Sequence, residues 1–177
     1  MSHRPSLAAP AFPDDDGAVD PGLAVALDEF ARDQVLPPVL AALHGVRILV
    51  PVIALLGDSA AGGDKGADMA AVLMTGVDGR KALLAFSSLQ SMQRWDPQAR
   101  PVPVYARQAA EAAADEDASA LLLDIAGPQF VVIETEDLHH LAQGHRIADA
   151  PDGAPGSNNA EEMMLVCRGG DFGVPRR

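Results

Sequence analysis

Residues 68–105 read DMAAVLMTGVDGRKALLAFSSLQSMQRWDPQARPVPVY, and they carry most of the local structural signal in the chain. The order is strand, tight turn, strand, capped helix, extended return. Asp78-Gly79 lies between two apolar runs, and this dipeptide tolerates the positive φ angles of a two-residue type I′ hairpin turn. Pairing Val77 with Arg80 sets Leu73 opposite Leu84, Ala71 opposite Phe86, Val72 opposite Ala85 and Met74 opposite Leu83. Both faces of such a hairpin are apolar, so each must be covered. A slip of one residue would exchange the faces.

Beyond Phe86, the run Ser87-Ser88-Leu89-Gln90 fits a capping box, with Ser87 as N-cap and Gln90 reaching back to its amide. Leu89, Met92 and Trp95 recur at helical spacing. The helix should stop at Asp96, because the residue before a proline disfavours the α region. Arg100-Pro101-Val102-Pro103-Val104 must be extended. Its two prolines suit an edge strand or a surface strap, not a central strand.

Outward from this stretch, Asp20-Pro21 offers an N-cap and an N1 proline, and Leu23, Leu27, Phe30 and Ala31 form one stripe. Pro37-Pro38 separates this helix from a short second one that Gly45 closes. Residues 46–55 read as a strand apolar on both faces. Pro51 conflicts with a central position unless the ladder is locally interrupted there. On the other side, residues 106–114 read as a helix with a small-residue face of Ala106, Ala109, Ala110 and Ala113. Arg107 and Glu111 make an i,i+4 pair on its outer side. Residues 120–125 and 129–133 form a second hairpin around Gly127-Pro128. Thr135 caps a last helix that buries Leu138 and Leu141 and ends at Gly144. Asp124, in an apolar strand, suits a strand end or an edge.

Several blocks taken together resemble a known family. They are Arg47-Ile48-Leu49-Val50-Pro51-Val52, Asp68-Met69-Ala70, Phe86-Ser87-Ser88-Leu89, Arg94-Trp95-Asp96-Pro97 and Arg100-Pro101-Val102-Pro103. In this order they look like the N-terminal domain of the SseB (enhanced serine sensitivity protein B) family, in its actinobacterial form. The resemblance covers roughly residues 23–144. It implies a small α/β domain and brings no agreed catalytic residues.

The 177 residues suit one domain with tails. Residues 1–19 hold prolines and Asp14-Asp15-Asp16 and are expected to be disordered. Residues 20–146 form the domain. Residues 147–177 are a flexible tail, in which 163–167 can add a short strand. Hydrophobic content is 48% with only 4% aromatic, so the core must be built from Ala, Val and Leu. A net charge of −12 without a basic stripe argues against nucleic acid and against anionic lipid. The longest apolar run, 48–55, is far short of the about 20 residues that span a bilayer. Without an apolar leader in residues 1–20, a cytoplasmic protein is expected. Cys167 is the only cysteine, which excludes an internal disulfide and a cysteine-based zinc site.

Candidate chemistry is sparse. His139, His140 and His145 are close in sequence, but neighbours on a helix diverge by about 100°, so no metal site is expected. The loop GDSAAGGDKG at 57–66 lacks the order of a phosphate loop, and no cofactor is implied. Ser87 and Ser88 lie at a strand-to-helix turn without the glycines of a nucleophile elbow, so capping explains them, and they stay binding candidates only as a helix start that can hold an anion weakly. Trp95, Asp96 and Arg100 are the best ligand candidates: a flat ring beside a guanidinium clamp. A Trp95 in the core, with Asp96 and Arg100 closing the turn, is the favoured alternative. Asp68, which with Lys65 closes the 57–66 loop just before the hairpin, joins the binding candidates.

The expected fold is α+β: a mixed, largely antiparallel sheet with helices packed against it. The leading function is a non-enzymatic binding or regulatory module for an unknown protein or small-molecule partner. An enzyme with an unrecognised active site is the alternative, to be told by a deep polar pocket holding a perturbed titratable pair. A structural subunit, self-pairing through a sheet edge into a homo-oligomer, is the third class.

Overall fold

The computed structural model describes residues 12–55, 68–128 and 130–145. The glycine-rich loop, the C-terminal tail with its expected strand at 163–167, and Cys167 lie outside the described residues. Twelve elements follow in order: α1 (Pro21–Asp33), α2 (Pro37–Leu43), β1 (Arg47–Leu55), β2 (Asp68–Ala71), β3 (Leu73–Thr75), β4 (Lys81–Ala85), α3 (Leu89–Trp95), β5 (Arg100–Tyr105), α4 (Ala106–Asp115), β6 (Ala120–Leu123), β7 (Val131–Glu134) and α5 (Thr135–Ala142). The fold is α+β, as expected.

The strands make two sheets, ordered β2-β1-β5 and β3-β4-β6-β7. Only β4 and β6 run parallel; every other pair is antiparallel. The sheets meet at two points. Leu49 and Phe86 exchange backbone hydrogen bonds of 2.8 Å each. Val72, between β2 and β3, donates to the Pro51 carbonyl and accepts from the Leu84 amide. The chain thus crosses from one sheet to the other at Val72.

This crossing reconciles Pro51 with a central strand. Ala106 donates to the Val46 carbonyl, so the even-numbered residues of β1 form the hydrogen-bonded pairs with β5. Pro51 opposite Pro101, and Leu49 opposite Pro103, are therefore non-hydrogen-bonded pairs. No proline is asked for a donor toward its partner. On the far side of β1, the missing Pro51 N–H falls where the ladder changes from Phe86 to β2. Strand β5 is an edge strand, as its prolines require.

The hairpin forms at the expected place with a different turn and register. Leu73 pairs with Leu83, Met74 with Ala82 and Thr75 with Lys81. Gly76 donates to the Arg80 carbonyl at 2.8 Å, enclosing a three-residue loop. Gly79 has φ 82, whereas Asp78 is not left-handed, so the turn is the three-residue glycine-bulge type. Asp78 binds back to Arg80 through its carboxylate. Ala71 pairs with Val52 rather than with Phe86. The one-residue shift exchanges the faces of β4: Leu83 and Ala85 share a face with Leu73, and Leu84 shares the other with Val72 and Met74.

Both faces are covered, unequally. On one, α1, α2, α4 and α5 bury Leu23, Leu27, Phe30, Leu43, Leu138 and the alanine stripe of α4 against Ile48, Leu83, Leu121 and Ile133. Asp20 caps α1, accepting from Gly22 and Leu23, and Ala26 takes the stripe position expected of exposed Ala31. The Arg107–Glu111 pair forms at 2.8 Å. Thr135 is the first residue of α5 and not its cap; its hydroxyl donates to the Ser119 carbonyl. The opposite face holds a smaller core of Leu49, Ala82, Leu84, Phe86, Met92 and Leu122, over which only the seven-residue α3 packs among the described helices. No described helix is long and apolar enough to cross a membrane.

Candidate functional site

The smaller core is where the sequence candidates converge. Trp95, at the end of α3, is half-buried and stacks on Phe86 with ring centroids 5.5 Å apart and planes 30° apart. Packed against the same core are half-buried Val72, Met74, Leu89, Ile125, Phe130 and Val132. Each is apolar and none is fully enclosed. Asp96 ends α3 and accepts from the Gln98 amide at 2.8 Å, closing the turn over Pro97. Arg100 begins β5 opposite Val52 and is exposed. Arg94, on the last turn of α3, is exposed as well. Neither arginine has an ion-pair partner among the described residues. Trp95 is thus intermediate between a core residue and a presented ring.

Ser87 and Ser88 do separate jobs, and the expected cap moves by one residue. Ser88 is the N-cap of α3, accepting from the Ser91 amide, while the Ser91 hydroxyl reaches back to the Ser88 amide. Gln90, expected to close the box, is exposed. The Ser87 amide donates to Asp124 Oδ1 at 2.9 Å, so the reach back from Gln90 that a Ser87 box needs is not available. The Ser87 carbonyl accepts from Arg47 Nη1 at 3.1 Å. Asp124 is 5% exposed, directly follows β6 and has φ 57, a conformation that aspartate tolerates better than most residues. A buried carboxylate thereby ties the ends of the parallel strands β4 and β6 together, as a strand-end position suggested.

Asp68 starts β2 opposite Leu55. It is remote in the sheet order from the Trp95 turn, since β5 and β2 lie on opposite sides of β1. The structure brings together Trp95, Asp96 and Arg100 through one turn, and Ser87 and Ser88 through the start of the same helix.

Little here is arranged for acid–base chemistry. Among the described residues, no three His, Cys, Asp or Glu side chains are grouped to hold a metal ion. Two carboxyls depart from the ordinary range. The hydrogen bond from the Arg80 side chain lowers Asp78, at the exposed hairpin turn. Burial raises Asp137 in the first turn of α5, with the Glu136 charge adding to it. These groups are far apart in the chain, and neither lines the hollows described below. His140 and His145 stand with ring centroids 5.8 Å apart and are exposed.

The element missed from sequence is residue 12 to residue 19. Expected as disordered tail, these residues lie against the body, gripped by Arg47. Asp15 Oδ1 is 2.7 Å from Arg47 Nη2, in an ion pair only 13% and 15% exposed. Arg47 also donates to the Ala18 carbonyl, and Leu89 donates to the Gly17 carbonyl at 2.8 Å. Phe12 meets Tyr105 edge-on, with centroids 4.8 Å apart. Two shallow hollows flank this segment. One, of about 320 Å³, is lined by Asp16, Ala18, Val19, Asp20, Pro21 and Arg47. The other, of about 330 Å³, is lined by residues 12–15 and Arg47. Composition alone hides this segment, because its anchor comes from a distant strand.

Among known proteins, the family model described as SseB protein N-terminal domain matches residues 23–140, well over half of the 177. No curated protein and no solved structure matches the chain.

Proposed function

The chain belongs to the SseB family through its N-terminal domain, and we propose that it is a non-catalytic module that docks a partner protein on the Trp95 face. The observation carrying this reading is the unequal cover of the sheet. Four helices seal one face, whereas one short helix leaves a patch of half-buried apolar side chains on the other. Apolar surface rimmed by polar groups suits protein contact. Tryptophan and arginine are the side chains that most often dominate such contacts. Arg94 and Arg100 flank Trp95 in sequence and have no ion-pair partner among the described residues, on a chain of net charge −12, so the partner that fits presents carboxylates around an apolar segment.

The enzyme alternative called for a deep polar pocket with a perturbed titratable pair. The two hollows found among the described residues are shallow, and the perturbed carboxyls Asp78 and Asp137 lie outside them. Arg94→Glu with Arg100→Glu tests the reading. The double variant should fold as the wild type does and lose a protein that the wild type captures from a native lysate. That protein, purified, should shield Trp95 from a fluorescence quencher. A captured protein retained by the double variant would count against the Trp95 face.

A further inference from the structure

We infer that the groove beside Arg47 is a peptide-binding site, separate from the Trp95 face, and that residues 12–18 are its resident occupant. The partner it fits is an acidic segment of another protein that turns as residues 12–18 do, with an aromatic residue, an aspartate three residues later and a glycine two beyond that.

The contacts have the form of peptide recognition. Two are made to main-chain carbonyls: Arg47 to Ala18 and the Leu89 amide to Gly17. Such contacts hold the main chain whatever the side chains on it. Two more read side chains, Tyr105 against Phe12 and Arg47 against the Asp15 carboxylate. A fifth feature selects glycine. Gly17 has φ 76, and a Cβ there would lie 2.9 Å from the Leu89 Cβ. Backbone strain and a side-chain clash together therefore exclude larger residues.

The receptor half does not depend on the occupant. Arg47 Nη1 also donates to the Ser87 carbonyl, whose residue is tied in turn to buried Asp124, so the guanidinium keeps one anchor when the segment leaves. Tyr105 and Leu89 belong to β5 and α3. The occupant adds none of the fully buried core, which begins at Leu23; Val19 is the first residue that packs against it. Residues 12–18 can therefore exchange without opening the domain. Their covalent attachment gives a local concentration on the order of millimolar, which a partner segment must outcompete.

A labelled peptide with the sequence of residues 10–19 (PAFPDDDGAV) provides the probe, read by fluorescence polarisation against the full chain. Phe12→Ala with Asp15→Ala weakens the resident segment and leaves the groove intact. This double variant should bind the peptide at least tenfold more tightly than the wild type. Adding Arg47→Ala should abolish binding. Because that change can also disturb folding, a peptide carrying Asn in place of its second aspartate is tested on the double variant and should bind at least tenfold more weakly. Equal or absent binding by the wild type and the double variant overturns the inference, as does indifference to the Asn peptide. A wild-type dimer that the double variant converts to monomer assigns the groove to a second copy of this chain and overturns the partner assignment.

Discussion

Trp95→Ala measures how far the Trp95 ring belongs to the core and how far it is presented. Truncating a fully buried aromatic side chain costs about 3–5 kcal/mol. Trp95 is half-buried, so roughly half of that applies to its contacts with Leu89 and Met92. Loss of the stacking on Phe86 adds about 0.5–1.5 kcal/mol. The sum is about 2–4 kcal/mol, which lowers Tm by roughly 6–14 °C for a domain of this size. Arg100→Ala, at an exposed cation without an ion-pair partner among the described residues, should cost under about 1 kcal/mol. The assay is a thermal melt followed by circular dichroism, with urea unfolding to check that m is unchanged. Trp95→Phe, which retains a stacked ring, should recover at least half of the loss. A Trp95→Ala melt within about 2 °C of wild type would show that the ring supports nothing. A loss above about 5 kcal/mol would make it a full core residue, unavailable to a partner.

Asp124→Ala should cost about 1–3 kcal/mol by leaving the buried Ser87 amide unpaired, while Asp124→Asn, which still accepts and tolerates the left-handed backbone, should cost much less; chemical denaturation of the two variants decides this. Gly79→Ala at φ 82 should cost about 1 kcal/mol and Gly79→Asn less, read from the same unfolding curves. The raised pKa of Asp137 has a definite sign. The folded state holds this proton more tightly than the unfolded chain, so Asp137 lowers stability as pH rises from its ordinary value through its raised one. Asp137→Asn should therefore melt above wild type at neutral pH, and the gain should disappear in melts below the ordinary carboxylate range.

What could be read in the sequence was what short-range chemistry decides. Asp20-Pro21, the α4 alanine face and the Arg107–Glu111 pair are set within one or two helical turns, and they form as expected. The features that escaped depend on distant residues. Asp-Gly marks a turn, but a two-residue and a three-residue loop differ only in whether the strands pair through Leu84 or Leu83. Val72 decides that choice by joining Pro51 to Leu84. Ser87 and Ser88 are equally good caps by composition. Asp124, 37 residues away, takes the Ser87 amide that Gln90 would need, and the box closes one residue on, between Ser88 and Ser91. At the candidate site, Trp95, Asp96 and Arg100 were visible because one turn joins them. Phe86, Ile125, Phe130 and Val132 were not, because strand order alone brings them to the same face. Likewise, an acidic, proline-containing lead-in reads as tail until Arg47 is placed beside it.

The central claim, that a partner protein docks over Trp95, has a built-in reporter, since Trp95 is the only tryptophan in the chain. Acrylamide quenching of its emission should be measured in the free full-length protein and again with a saturating amount of the partner captured by wild type and lost by the Arg94→Glu, Arg100→Glu variant. A tryptophan-free form of that partner, or one with its tryptophans replaced by phenylalanine, keeps the signal specific. The account predicts an intermediate quenching constant for the free protein and at least a twofold fall in the complex. An unchanged quenching constant at saturation would place the partner elsewhere on the domain and contradict the assignment of this face.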